Sequence, residues 1–140
     1  MNSTEREDEC GCCAPRARPP AIIDYIEQGL RRRRRPPLPV AGEERHDAEG
    51  RRVRFSLHLT NGAVFAVGFE VTMCVTLVAY CERLAQLVTG LSLEAAASRI
   101  DATALAASLP QVPPHKRTLS ELAAAGLQSA LRHAAKGASR

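Results

Sequence analysis

The five cysteines are the residues of this chain best suited to chemistry, and three of them lie close together. Cys10, Cys12 and Cys13 share four consecutive positions with Gly11. Thiolates this close in sequence can present sulfur to zinc, copper(I) or an iron-sulfur species without closing a large loop. Their spacing differs from the C-x2-C of common zinc sites, so incidental thiols in a tail are an equally good interpretation.

Cys74 lies where a predicted strand changes into a predicted helix. The residues before it are apolar, aromatic and β-branched, which favours a buried strand. After it, the apolar spacing from Leu77 to Val88 is that of an amphipathic helix, which Gly90 ends. The helix dipole and the exposed amide groups at such a junction favour a thiolate over a thiol. We therefore expect Cys74 to be the chemically active cysteine.

Cys81 follows Cys74 by seven residues on the same predicted helix. Two helical turns separate the two sulfur atoms by about 10 Å along the axis, which is too far for a shared small cluster or a disulfide. Cys81 is therefore predicted to pack in the core as a small hydrophobe.

The elements around Cys74 predict an α+β fold. Residues 53–59 alternate as a half-buried strand, and Asn61-Gly62 is a strong hairpin signal that returns the chain through 64–71 as an antiparallel partner. Ser92 and Asp101 are predicted to cap two short helices, and a last helix begins near Thr118. The expected architecture is a small antiparallel sheet packed on one face by helices.

Composition predicts four stretches along the chain. Residues 1–20 form a cysteine-containing disordered tail, and 21–50 comprise a short helix at 21–30 followed by an arginine- and proline-rich linker. The domain proper occupies 51–136, and 137–140 form a flexible end. One domain is consistent with 140 residues.

The net charge of +4 is unevenly distributed, because five consecutive arginines occupy Arg31 to Arg35. Such a run is most often solvated, and less often binds nucleic acid, membrane phosphate or an acidic partner. No aromatic residues lie among the arginines to stack on bases, so nucleic acid is not expected as a partner.

The sequence argues against several classes of protein. The acidic N-terminus lacks the apolar segment of a secretory signal, and Glu70 interrupts the apolar run from Ala63 to Tyr80 that would otherwise suggest a membrane span. We therefore expect a cytoplasmic protein without a membrane partner, whose cysteines are thiols or metal ligands. The sequence has no nucleophile elbow and no phosphate-binding loop, and no paired carboxylates stand on a common regular face, so an enzyme is not expected.

Three segments carry a resemblance to a known family. Met73 to Leu77 occupies the position of a conserved turn, Gly90 to Ala95 follows it in register, and Leu109 to Lys116 precedes the final helix. Ile23 to Tyr25 echoes a short N-terminal helix. Over roughly residues 52–135 the chain resembles the iron-sulfur cluster assembly scaffolds of the NifU/IscU type.

The resemblance implies a cluster site, of which this chain matches one cysteine. Scaffolds of the family use three cysteines, an aspartate after the first and a histidine before the third. Cys74 matches the middle cysteine, whereas the first falls at about Glu49 and the aspartate at about Arg51. The histidine and third cysteine fall at Thr118 and Leu119.

If the family fold holds, other residues come near Cys74. Glu49 and His115 would complete a mononuclear site for zinc or iron(II), and the tail thiols would reach the same end of the molecule. The predicted metal ligands are Cys74, Glu49, His115, Cys10, Cys12 and Cys13.

The function implied by the resemblance is a scaffold that binds iron or sulfur through Cys74 during cluster biogenesis. The implied partners are a cysteine desulfurase and a chaperone-type helper protein, the latter contacting Val112, Pro113, Pro114 and Lys116. Two other hypotheses remain open. The first is a degenerate homologue that acts as an interaction module without a cluster, and the second is a metal-chelating tail or an arginine-dependent nucleic-acid binder attached to this fold.

Overall fold

The sheet is built around the predicted hairpin. The computed structural model describes residues 21–138, and Asn61 and Gly62 turn the chain there with positive φ angles of 53° and 77°. The helices are α1 (Ile22–Arg33), α2 (Val75–Val88), α3 (Leu93–Arg99), α4 (Ala102–Ser108) and α5 (Leu119–Ala138). The strands are β1 (Val40–Ala41), β2 (Arg45–His46), β3 (Arg52–Thr60) and β4 (Ala63–Val71), and Pro114–Lys116 form a 3-10 turn.

Strand β3 is central in the antiparallel sheet. It pairs along its length with β4 on one side, while β1 and β2 share its other edge, with Val40 opposite Leu57 and Arg45 opposite Val53. The inward side chains of β3 and β4 are buried, and α2 and α5 pack against them. This confirms the predicted α+β fold with helices covering a small antiparallel sheet.

Helices α3 and α4 each begin after a residue of a type that commonly caps helices. The Ser92 hydroxyl accepts a hydrogen bond from the backbone N–H of Ala95 at 3.1 Å, and the Asp101 carboxylate accepts from Thr103 and Ala104. Side-chain oxygens at these positions satisfy amides that a helix leaves without partners at its start. Both caps were predicted from the sequence.

The segment predicted as a linker contributes to the sheet. Helix α1 extends into the arginine run as far as Arg33, and residues 40–46 contain β1 and β2. These strands are held in place because Gly42 lies against the backbone of α5 and the Glu43 N–H donates to the Ser129 hydroxyl at 2.8 Å. A two-residue strand leaves no periodic pattern, so its position depends on these contacts.

None of the helices in residues 21–138 has the length and apolar character that a membrane span requires.

Candidate functional site

Cys74 lies at the end of the sheet, between β4 and α2. Thr72 extends the pairing with β3, because its N–H donates to the Arg52 carbonyl at 3.1 Å and its hydroxyl accepts from the Arg52 N–H at 2.6 Å. Two residues later Cys74 is extended, with φ −143° and ψ 112°, and its carbonyl accepts the Val78 N–H at 2.9 Å. The sheet on one side and the first turn of α2 on the other therefore hold the backbone of Cys74 in place.

Cys74 is partly exposed and has apolar neighbours. Cys74 is half-buried, whereas Met73 and Val75 on either side are 57% and 48% exposed. Large apolar side chains exposed in this way often mark a contact surface. Met73, Cys74 and Val75 thus form a partly exposed apolar stretch at this end of the sheet.

Glu49 lies at the same end of the sheet, in the tight turn between β2 and β3. The Asp47 carboxylate accepts the backbone N–H groups of Glu49 and Arg51 at 3.0 and 2.9 Å, and Gly50 takes a positive φ of 86°. The turn leads into Arg52, which is paired with Thr72 beside Cys74. The pairing of β3 with β4 therefore places the Glu49 turn and Cys74 at the same end of the sheet.

The Glu49 carboxylate is engaged by a cation. The Arg51 guanidinium forms ion pairs with Glu49 and with Asp47, the latter at 2.9 Å. The hydrogen bonds that Arg51 donates to Glu49, and then those to Asp47, raise the pKa of Arg51 above its ordinary range. A metal ion at Glu49 would have to displace this guanidinium.

His115 is exposed on the 3-10 turn before α5. Within residues 21–138, no three or more His, Cys, Asp or Glu side chains are grouped so that they could hold a metal ion. The mononuclear zinc or iron(II) site predicted from Cys74, Glu49 and His115 is therefore not formed in this part of the chain. Glu49 is not available as a metal ligand because its carboxylate is paired with Arg51.

The predicted partner segment divides into a buried and an exposed part. Val112 is 1% exposed and belongs to the hydrophobic core, while Pro113 and Pro114 are exposed and Lys116 is half-buried. Hydrogen bonds from the N–H groups of Lys116 and Arg117 to the carbonyls of Pro113 and Pro114 close the turn. Val112 is therefore buried in this conformation, and contact of these four residues with a partner stays a prediction.

Cys81 packs in the core, as predicted, with no exposed surface. Burial raises the pKa of the Cys81 thiol well above its ordinary range, and the nearby Glu82 and Cys74 add to this effect. Only thiolates react readily with alkylating reagents. Cys74, at the cap of α2, and Cys81, within α2, should therefore differ strongly in their rate of alkylation.

We therefore expect iodoacetamide at mildly alkaline pH to alkylate Cys74 in the folded protein and Cys81 only after unfolding. Cys81 should stay protected as the pH is raised, for as long as the fold persists. Peptide mass spectrometry measures both sites in one sample, and denatured protein is the control. Equal labelling of the two cysteines in the folded state would contradict the burial of Cys81.

The arginine run is partly structural, which its sequence did not indicate. Arg32 forms a bidentate pair with the buried Glu82 of α2 through Nε at 2.6 Å and a terminal nitrogen at 3.0 Å. Arg32 and Arg33 also donate to the carbonyls of Val67 and Val71 on β4. They thereby attach α1 to the sheet and cover an edge strand, while Arg31, Arg34 and Arg35 are exposed. The one available signal was Glu82, an acidic residue among apolar neighbours in a predicted helix.

Cys10, Cys12 and Cys13 lie outside the described residues, so their predicted role as ligands stays a prediction.

The geometry defines a small α+β domain with one thiol presented between the end of the sheet and a helix. The family model described as "NifU-like N terminal domain" matches residues 23–137. The chain therefore belongs to the family of NifU-like N-terminal domains. No curated protein matches it significantly.

Solved structures share this fold, and two of them are similar to most of this chain. One, from Fervidobacterium islandicum AW-1, is of a protein assigned as an iron-sulfur cluster assembly scaffold for the SUF system, with 17% identity and a TM-score of 0.57 over 79% of this chain and 93% of that one. The other is the N-terminal part of a nitrogen-fixing NifU-like protein from Brucella abortus, with 17% identity and a TM-score of 0.52 over 81% of this chain and 96% of that one. At this identity the similarity establishes the fold.

Proposed function

We propose that this protein is a scaffold for iron-sulfur cluster assembly in which Cys74 binds iron or accepts sulfur. Membership of the family supports the scaffold role. The position of Cys74 at the cap of α2 supports its assignment as the residue that binds iron or accepts sulfur. Cys74 is partly exposed at the junction between the sheet and α2, whereas Cys81 is buried in the core. A scaffold binds and hands on its cargo, so we infer that the domain itself catalyses no reaction.

Sulfur would arrive from a partner enzyme that carries a persulfide, the product expected of a cysteine desulfurase. The Cys74 thiolate attacks the outer sulfur of that persulfide, the donor's S–S bond breaks, and the donor leaves as a thiolate while Cys74 becomes the persulfide. The exposed Met73 and Val75 provide an apolar surface on which such a donor can dock. The exposed Pro113 and Pro114, with Lys116, form the surface proposed for a chaperone-type helper protein.

The test is anaerobic reconstitution with iron, sulfide and a reductant, followed by absorption spectroscopy and counting of bound iron and sulfide. Wild type and Cys81→Ala should retain iron and sulfide, whereas Cys74→Ser should lose both because the hydroxyl is a poor ligand for the cluster. Cys81→Ala is the matched control, since it removes the other described thiol without adding a buried polar group. Full iron retention by Cys74→Ser would overturn the role of this residue.

One observation favours a second function, an interaction module without a cluster. The resemblance places the family's aspartate at about Arg51, and Arg51 forms an ion pair with Glu49, so a guanidinium lies where the resemblance implies a ligand. If wild type binds no iron after reconstitution but still binds a cysteine desulfurase, this function replaces the scaffold role.

A further inference from the structure

We propose that residues 34–39 form a docking surface for a protein domain that binds proline-rich segments through a groove lined by aromatic side chains. These residues join α1 to β1 and have the sequence Arg-Arg-Pro-Pro-Leu-Pro; we call them the proline segment. The scaffold role does not use this surface, so the two proposals stand or fall separately.

The backbone conformation of the proline segment follows from its residue types. Each of residues 35–39 is either a proline or directly precedes one. Proline fixes φ at about −65°, and the residue before a proline avoids the helical region, so both favour the extended polyproline II conformation. In agreement, residues 36–39 belong to no helix or strand.

The proline segment crosses the face of the sheet that the helices leave uncovered. Gly126 of α5 lies against Phe55, so the alternation along β3 points Ser56 to the opposite face. There the Ser56 hydroxyl accepts the Leu38 N–H at 3.0 Å. The Leu38 side chain lies 3.6 Å from where a Cβ on Gly68, the cross-strand partner of Ser56, would stand. Leu38 therefore anchors the segment, which explains why Ser56 is buried on a face without helices.

The prolines of this segment face solvent. Pro36, Pro37 and Pro39 are exposed, whereas Leu38 is half-buried. A polyproline II helix has three residues per turn, so Pro36 and Pro39 lie along one edge and Leu38 along another. Because the edge with Leu38 faces the sheet, the edges that carry the three prolines are displayed to a partner.

Both ends of the proline segment are tied to the folded domain. Before it, the Arg33 Nε donates to the Val71 carbonyl at 2.8 Å. After it, Val40 pairs with Leu57 in the sheet. A segment that is already held in an extended conformation loses little conformational freedom on binding, so more of the contact free energy remains as affinity.

The charges beside the prolines indicate the kind of groove that fits them. Arg34 and Arg35 are exposed immediately before Pro36. Acidic side chains at one end of a groove would complement these guanidinium groups, while aromatic side chains would pack on the proline rings. Nucleic acid would use the arginines alone, and no aromatic residue lies among them to stack on bases. The exposed prolines therefore favour a protein partner.

The test titrates three purified probes, an SH3, a WW and an EVH1 domain, with the full chain. The groove of each probe contains tryptophan and this protein has none, so the change in fluorescence reports the groove alone. We expect saturable binding to at least one probe, and an affinity at least tenfold lower for the variant Pro36→Ala, Pro39→Ala. The variant Arg34→Gln, Arg35→Gln should bind several-fold more weakly than wild type, and this difference should shrink as salt is added.

The matched controls change the same residue types elsewhere on the surface. Pro110→Ala alters an exposed proline after α4, and Arg99→Gln, Arg132→Gln alters two exposed arginines on α3 and α5. Both controls should bind like wild type. In the unaltered full chain, the amide resonances of Arg35 and Leu38 should shift when the probe is added, which tests the surface even if a variant folds poorly.

Failure of all three probes to bind, or equal affinity of wild type and the double proline variant, would overturn the docking surface. Binding that depends on Arg34 and Arg35 but not on the prolines would also overturn it, in favour of a polyanionic partner. None of these results bears on Cys74, whose role is tested separately by iron and sulfide counting.

Discussion

Replacing Arg32 with glutamine is expected to lower the free energy of unfolding by about 3 kcal/mol, because it leaves a buried charge without its partner. The Glu82 side chain is 1% exposed, and the Arg32 guanidinium contacts both of its oxygens. The substitution also removes the hydrogen bond from Arg32 to the Val67 carbonyl at 2.7 Å. Chemical denaturation measures the change.

Arg31→Gln is the matched control, since Arg31 is the exposed neighbour of Arg32 in the same run. Its effect should stay within about 0.5 kcal/mol, as for most surface substitutions. The double variant Arg32→Gln, Glu82→Gln should recover part of the loss, because no buried charge then remains. Equal stability of Arg31→Gln and Arg32→Gln would show that the pair contributes nothing to holding α1.

Gly42→Ala is expected to destabilise the protein by about 2 kcal/mol through overpacking. A methyl group at residue 42 would lie 2.5 Å from the backbone nitrogen of Ala130 and 2.8 Å from its Cα. These are backbone atoms of α5, so no side-chain rotation relieves the clash. Relief requires β1 and β2 to move away from α5, which also strains the hydrogen bond from Glu43 to Ser129.

Gly137→Ala provides the same chemical change without the clash, because nothing lies within 4 Å of the added methyl group. Gly137 is within α5, where alanine is the better helix former, so the control should be neutral or slightly stabilising. Thermal and denaturant unfolding of both variants measures the difference. A Gly42→Ala variant as stable as Gly137→Ala would show that β1 and β2 are not packed closely against α5.

The elements with strong local signals were predictable from sequence alone. The alternation in 53–59 and the Asn61-Gly62 turn specify the hairpin, because side chains on a strand alternate between faces and this dipeptide adopts positive φ at little cost. Ser92 and Asp101 cap their helices through contacts within three residues. The position of Cys74 between a strand and a helix follows from the same local patterns.

The ligand environment of that cysteine was less predictable, because it depends on residues from separate loops. Sequence placed Glu49 near Cys74 through the resemblance, yet the pairing of Glu49 with Arg51 depends on the tight turn formed by Asp47 and Gly50. Val112 lies in a proline-rich segment that looks exposed in sequence, but its side chain enters the core.

The sequence by itself determined the hairpin, the helix after Cys74 and the caps, since each depends on neighbours within a few positions. The tertiary structure decided the role of the arginine run and of residues 40–46. Arg32 meets Glu82 across 50 positions, and the Glu43 amide meets Ser129 across 86. Partners so far apart leave no periodic trace in the chain, so only the packing of α1 on α2 and of α5 on the sheet brings them together.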